Sequence, residues 1–225
     1  MYRPLLCLSL ALTCTLSGAL DAAAATIDLA HPTAAGFVSS SLADNAVTTR
    51  GVVVDAQEDV AISSIGLRFD PLHGGATMLA VDIYASSLAA DFSNPGAGHG
   101  ALLASASTAI VDTGLSFYDV PIALVFSAST RYDIAFRALS PDGWGMGTND
   151  MELYFYHFAE PDGPYTVGPL AVVDGFSMGG GSFGYANITM PHVRLEGAAA
   201  VPEPAAGLMV ATVVLAAMAL RRRER

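Results

Sequence analysis

The chain contains no lysine, two cysteines and one tryptophan, and charged residues make up only 14% of its 225 positions. Both cysteines, Cys7 and Cys14, fall within an apolar N-terminal run, so the rest of the chain has no disulfide or thiolate chemistry available. Ten arginines face 21 acidic residues, and the formal net charge is −11. This balance excludes nucleic acid as a partner, because nucleic-acid binding needs a basic surface.

Residues 1–25 have the three parts of a secretory signal peptide. Arg3 supplies a positive charge, residues 5–20 form the apolar run, and four alanines follow at 22–25. Ala23 and Ala25 fit the small-residue rule for cleavage, which predicts export by the general secretion machinery and a mature chain that begins at Thr26. A retained membrane anchor is the alternative.

Residues 201–225 carry the most specific pattern in the chain. Residues 205–220 are almost wholly apolar, and a helix of that length would extend about 24 Å, close to the span of a bilayer core. The arginines behind it predict a cytoplasmic stop-transfer signal. The motif in front of the helix is held extended by its two prolines. The motif is Val201, Pro202, Glu203, Pro204, and the terminal cluster is Arg221, Arg222, Arg223, Arg225.

This three-part tail resembles the PEP-CTERM sorting signal of Gram-negative bacteria. The resemblance covers residues 201–225 and implies processing near Pro-Glu-Pro by an exosortase, an integral membrane cysteine protease. It further implies a precursor held transiently in the inner membrane by the C-terminal helix. The mature form is then expected at the cell surface or in the extracellular polysaccharide matrix. An ordinary tail anchor with an incidental Pro-Glu-Pro is the alternative.

Residues 26–200 form the predicted mature domain, and they are strongly acidic. Of the 21 acidic residues, Asp21, Glu203 and Glu224 lie outside this range, which leaves 18 against five arginines and a formal charge of −13. Hydrophobic residues alternate with polar ones throughout, and this period of two is typical of strands with one buried face. Strands are predicted at 47–55, 60–69, 79–85, 102–112, 120–126, 130–138, 152–158, 170–176 and 186–195.

The strand pattern predicts an all-β fold, a two-sheet antiparallel β-sandwich of jelly-roll-like form, built as one domain. In 130–138, Tyr132, Ile134 and Phe136 are expected on the core face, with Asp133 on the face toward solvent. The alternation reverses phase at Ser63-Ser64, which predicts a β-bulge there.

Residues 62–138 resemble β-sandwich modules that are common in bacterial extracellular proteins, in which one segment ends in Gly-Thr-x-Tyr. The corresponding residues here are Ser129-Thr130-Arg131-Tyr132, with serine in place of the usual glycine. The resemblance implies a fold and a surface or matrix role rather than a reaction.

Two glycine motifs overlap at residues 179–184. Gly180 to Gly184 matches the Gly-x-Ser-x-Gly nucleophile elbow, and the same tract matches Gly-x-Gly-x-x-Gly. Both motifs need a following helix, whereas the residues that follow have a strand pattern. We therefore predict a hairpin loop at this tract and no catalytic residue. His157, Glu160 and Asp162 form the one compact acid–histidine group, which we interpret as a solvated strand end because a metal site needs more converging ligands.

The loop around Trp144 offers the best candidate for ligand binding. Acidic residues Asp142, Asp150 and Glu152 flank it and are weak candidates for a structural calcium ion; no other cofactor is predicted. Trp144 with Tyr154 and Tyr156 could present a sugar-stacking platform. The alternative is that Trp144 closes one end of the core, as most aromatic residues serve packing. The sequence thus favours a non-enzymatic exported surface protein; the alternative is an extracellular carbohydrate-binding module.

Overall fold

The computed structural model describes residues 25–43, 49–71, 76–87, 99–139, 148–155, 164–179, 182–187 and 189–199. Residues 25–200 group into one compact unit. The described residues form strands and no helix, and so include no helix that could cross a membrane. The predicted signal peptide before Ala25, the sorting tail and the Trp144 loop lie outside the described residues.

Fourteen strands are described in this part of the chain. They are β1 (Ala25–Asp28), β2 (Gly36–Ala43), β3 (Thr49–Ala56), β4 (Val60–Asp70), β5 (Met78–Ala85), β6 (Leu102–Ala109), β7 (Ser116–Phe126), β8 (Thr130–Leu139), β9 (Thr148–Phe155), β10 (Tyr165–Val167), β11 (Leu170–Gly179), β12 (Ser182–Asn187), β13 (Thr189–Pro191) and β14 (Val193–Ala199).

The strands form two antiparallel sheets. Sheet A has the order β1-β14-β4-β9-β13, with β7 also paired to β4 and β2 to β9. Sheet B has the order β10-β11-β3-β8-β5-β6, with β12 also paired to β11. The prediction of an all-β fold with two antiparallel sheets is confirmed.

One hydrophobic core is shared by the inner faces of both sheets. Sheet A contributes fully buried side chains such as Leu67 and Phe69, and sheet B contributes Ile83, Ile134 and Phe136. These residues recur at every second position of their strands, so each strand buries one face. At about 25 cal/mol per Å² of buried apolar surface, this shared core is the main favourable contribution to folding.

The predicted bulge at Ser63-Ser64 is confirmed. Ser64 is opposite Glu196 of β14 while Ile62 is opposite Gly197, so Ser63 is the extra residue. The Ser63 hydroxyl donates to the Glu196 carbonyl at 3.1 Å. Because of this insertion, Ile62 and the hydrophobic residues beyond the bulge all point into the same core.

The segment 186–195 was predicted as one strand, and this prediction is wrong. It contains the end of β12 in sheet B, then β13 and the start of β14 in sheet A. The sheets come close enough for the chain to cross here, because a Cβ on Gly175 would lie 2.5 Å from the Thr189 carbonyl oxygen. Alternation of hydrophobic and polar residues cannot reveal such a change of sheet, because the residues before and after the crossing alternate in the same way.

The placement of Asp133 on a solvent face is also wrong. Its core-facing neighbours Tyr132 and Ile134 are buried as predicted, but Asp133 is itself fully buried. Other side chains cover the outer face of sheet B at this point, where Val53, Ala135, Val173 and Phe176 form a second small hydrophobic cluster.

The tract at 179–184 forms the predicted hairpin. β11 and β12 pair antiparallel, and Gly179 is the direct partner of Ser182. A strand therefore follows Ser182 where a nucleophile elbow or a phosphate-binding turn requires a helix.

The turn between β7 and β8 holds a serine in a backbone conformation that suits glycine. Ser129 has φ of 60°, and its N–H donates to the Ala56 carbonyl at 2.7 Å. Next to it, the Ser127 N–H donates to the Tyr132 hydroxyl at 2.8 Å, which closes the corner. A glycine at this position would avoid the steric cost of this left-handed conformation.

We predict that Ser129→Gly stabilises the domain. Relief of the left-handed strain is worth about 1 kcal/mol, partly offset by the greater freedom of glycine in the unfolded chain. Urea denaturation should show a higher midpoint with an unchanged slope. The reverse control is Gly114→Ala in the turn before β7. Gly114 has φ of 76° and open space around it, so an alanine there adds left-handed strain without a clash. This variant should have a lower denaturation midpoint than the unchanged protein. A lower midpoint for Ser129→Gly would contradict this account.

Candidate functional site

His192 lies at the centre of a polar network on the outer face of sheet A. Its Nε2 is 2.7 Å from Asp28 Oδ1, and its Nδ1 is 2.7 Å from Glu152 Oε2. With a carboxylate oxygen beside each ring nitrogen, the imidazole links two acidic side chains from different strands. The His192 side chain is only 6% exposed, whereas that of Asp28 is 52% exposed.

The network continues through Glu152 to Arg68 of β4, whose Nη1 is 2.8 Å from the same Glu152 oxygen. The four groups come from β1, β4, β9 and the residue between β13 and β14. The network therefore joins strands that are far apart in the chain.

Aromatic rings surround His192. Phe117 meets its ring edge-on with centroids 4.8 Å apart, and the Tyr154 hydroxyl is 3.2 Å from its Nδ1. Burial, followed by the charges of Glu152 and Asp28, raises the pKa of Tyr154 to about 12, against a smaller lowering by Arg68. Tyr154 therefore stays protonated at neutral pH.

A second ion pair flanks the network. Arg194 of β14 holds Asp119 of β7 with two parallel hydrogen bonds, and its guanidinium lies 4.4 Å from the centre of the Phe117 ring. The hydrogen bond to Asp119 raises the pKa of Arg194.

Each nitrogen of His192 lies 2.7 Å from a carboxylate oxygen, so neither nitrogen is open toward a substrate. The described residues place no serine, threonine or cysteine in hydrogen-bonding contact with it. The arrangement fits a clasp that holds β1 and β9 against β14.

The outer face of sheet B has its own histidine cluster. His99 Nδ1 is 2.8 Å from Asp133 Oδ2, and the side chains are 8% and 0% exposed. The His99 ring stacks on Tyr84 at 4.2 Å between centroids and meets Phe176 edge-on. These rings explain why Asp133 is buried on a face that was predicted to meet solvent.

Asp82 lies on the same outer face and is shared by two strands. Arg137 Nε donates to its Oδ2 at 2.8 Å, and the Ser105 hydroxyl donates to its Oδ1 at 2.6 Å. Burial, followed by the charge of Asp82, raises the pKa of Tyr84.

The predicted ligand-binding residues are placed only in part. Tyr154 is buried, at 6% exposure, and packs against His192 rather than offering a free ring face. Trp144 and Tyr156 lie outside the described residues. The sugar-stacking platform therefore remains a prediction that rests on those two residues.

The calcium candidates are divided in the same way. Asp142 lies outside the described residues, and Asp150 is the cross-strand partner of Asp70. The Glu152 carboxylate is taken up by Arg68 and His192, which leaves it poorly suited to a cation. Within the described ranges, no group of three acidic, histidine or cysteine side chains is arranged to hold a metal ion.

The sequence alone did not identify either histidine cluster. His192 is 40 positions from Glu152 and 164 from Asp28, so no local spacing links them. The one available signal is compositional: with five arginines and no lysine in this domain, buried carboxylates have few partners besides histidine.

Comparisons with protein-family models, with curated proteins and with solved structures found no match to this chain.

We predict that His192→Gln destabilises the domain by about 1–3 kcal/mol, because one amide cannot replace donors to two buried or half-buried carboxylates. Chemical denaturation gives the value. Asp28→Asn, which removes the more exposed carboxylate, should cost less. Equal stability of His192→Gln and the unchanged protein would show that the clasp contributes nothing.

We predict that deprotonation of Tyr154 destabilises the folded domain at alkaline pH. Because the pKa of its phenol is about 12 when folded and about 10 when unfolded, this group's contribution is complete below pH 10 and is lost as the pH rises toward 12. Between pH 9 and pH 12, the denaturation midpoint of Tyr154→Phe should fall less steeply with rising pH than that of the unchanged protein. Parallel slopes for the two proteins would exclude this role.

Proposed function

We propose that this chain is an exported, non-enzymatic protein of the cell surface or extracellular matrix, processed at its C-terminal sorting signal by an exosortase. The observation that carries the proposal is the tail at residues 201–225, in which Pro-Glu-Pro, an apolar segment and an arginine cluster occur in order. The N-terminal signal pattern independently supplies the export step.

The folded domain is compatible with this route. The described strands begin at Ala25 and end at Ala199, so both predicted processing sites lie at the borders of the sheets. The sequence of the domain contains no cysteine and therefore needs no oxidative folding after export. Several cationic and histidine side chains on its outer faces contact carboxylates of other strands, namely Arg68, Arg137, Arg194, His99 and His192. These contacts support a binding or structural role over a reaction.

We infer a jelly-roll-like arrangement of the sandwich. From β2 to β5 successive strands alternate between sheet A and sheet B, and the alternation resumes from β6 to β10. Such repeated crossing is typical of Greek-key and jelly-roll folds, and it favours them over two separate meanders.

Carbohydrate binding is the alternative function. It rests on Trp144, a loop tryptophan between two glycines, with Tyr156 as its nearest remaining partner. The burial of Tyr154 removes one ring from the platform, so this alternative is the weaker of the two.

Mass spectrometry of the protein made in an exosortase-containing Gram-negative host tests the proposal. We expect an exported form that begins at Thr26 and lacks the residues after the Pro-Glu-Pro motif. Replacing Pro202, Glu203 and Pro204 with alanine should leave the tail attached and the protein in the inner membrane.

The matched control replaces Glu160 and Pro161, the other Glu-Pro pair, with alanine, and its processing should be normal. An exported form that still ends at Arg225 would overturn the exosortase proposal while leaving export itself intact.

A further inference from the structure

Strand β6 forms one edge of sheet B. Within the described ranges it pairs only with β5, and the Ile110 N–H continues that ladder by donating to the Thr77 carbonyl at 2.9 Å. Hydrogen-bonded pairs alternate along an antiparallel ladder. The backbone N–H and C=O groups of Ser105, Ser107 and Ala109 therefore point away from β5, toward the open edge.

The other described edges carry features that hinder strand addition. β7 has Pro121, which lacks an N–H, and the charged Asp119. β1, β10 and β13 are only three or four residues long, and the pairings of β2 and β12 shift register. Natural sheets use such features to prevent edge-to-edge association.

β6 has none of these features beyond a register irregularity at its first residues. Residues 101–111 include no proline and no charged side chain, in a chain of net charge −11. An eight-residue strand of small, uncharged side chains is a suitable template for another strand.

Exposed apolar side chains are concentrated along this edge. Six large hydrophobic residues are exposed in the described part of the chain, and four of them lie on or beside β6. Leu102 and Leu103 are at its start, Met78 is the cross-strand partner of Ala109 at its end, and Val111 follows two residues later.

We propose that β6 is a dimerisation edge, which pairs antiparallel with β6 of a second copy of this chain about a two-fold axis. The two sheets B would then form one continuous sheet across the interface. The pairing joins N–H and C=O groups that have no partner strand among the described residues.

The distribution of side chains favours a second copy as the occupant. With Ser105 opposite Ser107 of the other copy, Leu103 lies opposite Ala109. The antiparallel arrangement thus brings Leu102 and Leu103 of each copy to the end of the other copy that carries Met78 and Val111. Each predicted mature domain carries −13, so contact elsewhere is opposed by repulsion, whereas β6 brings no charge into the interface.

The test is the mass in solution of the protein isolated from producing cells, measured by light scattering or sedimentation over a range of concentrations. The unchanged protein should have twice the mass of one chain. Ser107→Pro removes an edge N–H, and Ser107→Lys places like charges across the two-fold axis. Both should halve the mass.

Ala61→Lys is the matched control, because it adds the same charge to an exposed strand position of sheet A, and it should stay dimeric.

Near-ultraviolet circular dichroism verifies that each variant is folded. If Ser107→Pro does not fold, Ser107→Lys decides alone, since it leaves the backbone unchanged. A monomeric unchanged protein, or a dimer that persists in folded Ser107→Lys, would overturn the proposal. Neither result bears on exosortase processing.

Discussion

The contact between the inner faces of the two sheets is the interaction on which the rest of this structure depends. Fully buried side chains such as Phe69 of sheet A and Phe136 of sheet B meet in one core. Because the chain repeatedly crosses from sheet to sheet, few strands can be removed without opening that core. The bulge at Ser63 serves the same contact, since it restores the inward direction of the second half of β4.

A sandwich of this kind has two outer faces, and a chain without lysine has few ways to pair acidic groups there. Ion pairs between strands join Arg68 to Glu152, Arg131 to Asp55, Arg137 to Asp82 and Arg194 to Asp119. Two histidines also contact carboxylates, His192 on the outer face of sheet A and His99 on that of sheet B. Positive groups therefore bind strands together across both outer faces.

Much of the fold could be predicted from the sequence because burial on one face of a strand leaves a local record. The alternation around Ile134 and the phase change at Ser63-Ser64 are examples, and both match the structure. The short strands β1 and β10 carry too few alternating residues to be recognised, and β2 has three consecutive serines, Ser39 to Ser41, in place of alternation. The crossing near Thr189 depends on distance between sheets, which the local pattern does not contain.

The polar networks could not be predicted for a different reason. His192 meets Asp28 and Glu152 only because three distant segments become neighbours in sheet A. Asp133 has the position of a solvent-facing residue in its strand, and its burial is set by His99, Tyr84 and Phe176 from other segments. In both cases, contacts between segments distant in the chain determine where the side chain lies. The only signal in the sequence is the composition, in which the absence of lysine leaves histidine and arginine as the partners for carboxylates.

The direct pairing of Thr26, the predicted first residue of the mature chain, with Glu196 has a mechanical consequence. β1 and β14 run antiparallel, so the beginning of the domain and its end lie at the same end of that pair. A pulling force applied to both chain ends would open the pair one hydrogen bond at a time, like a zipper, instead of shearing all of them together. If only one chain end is attached, no force acts across the β1–β14 pair. Cleavage at either end therefore prevents a pulling force from separating β1 from β14.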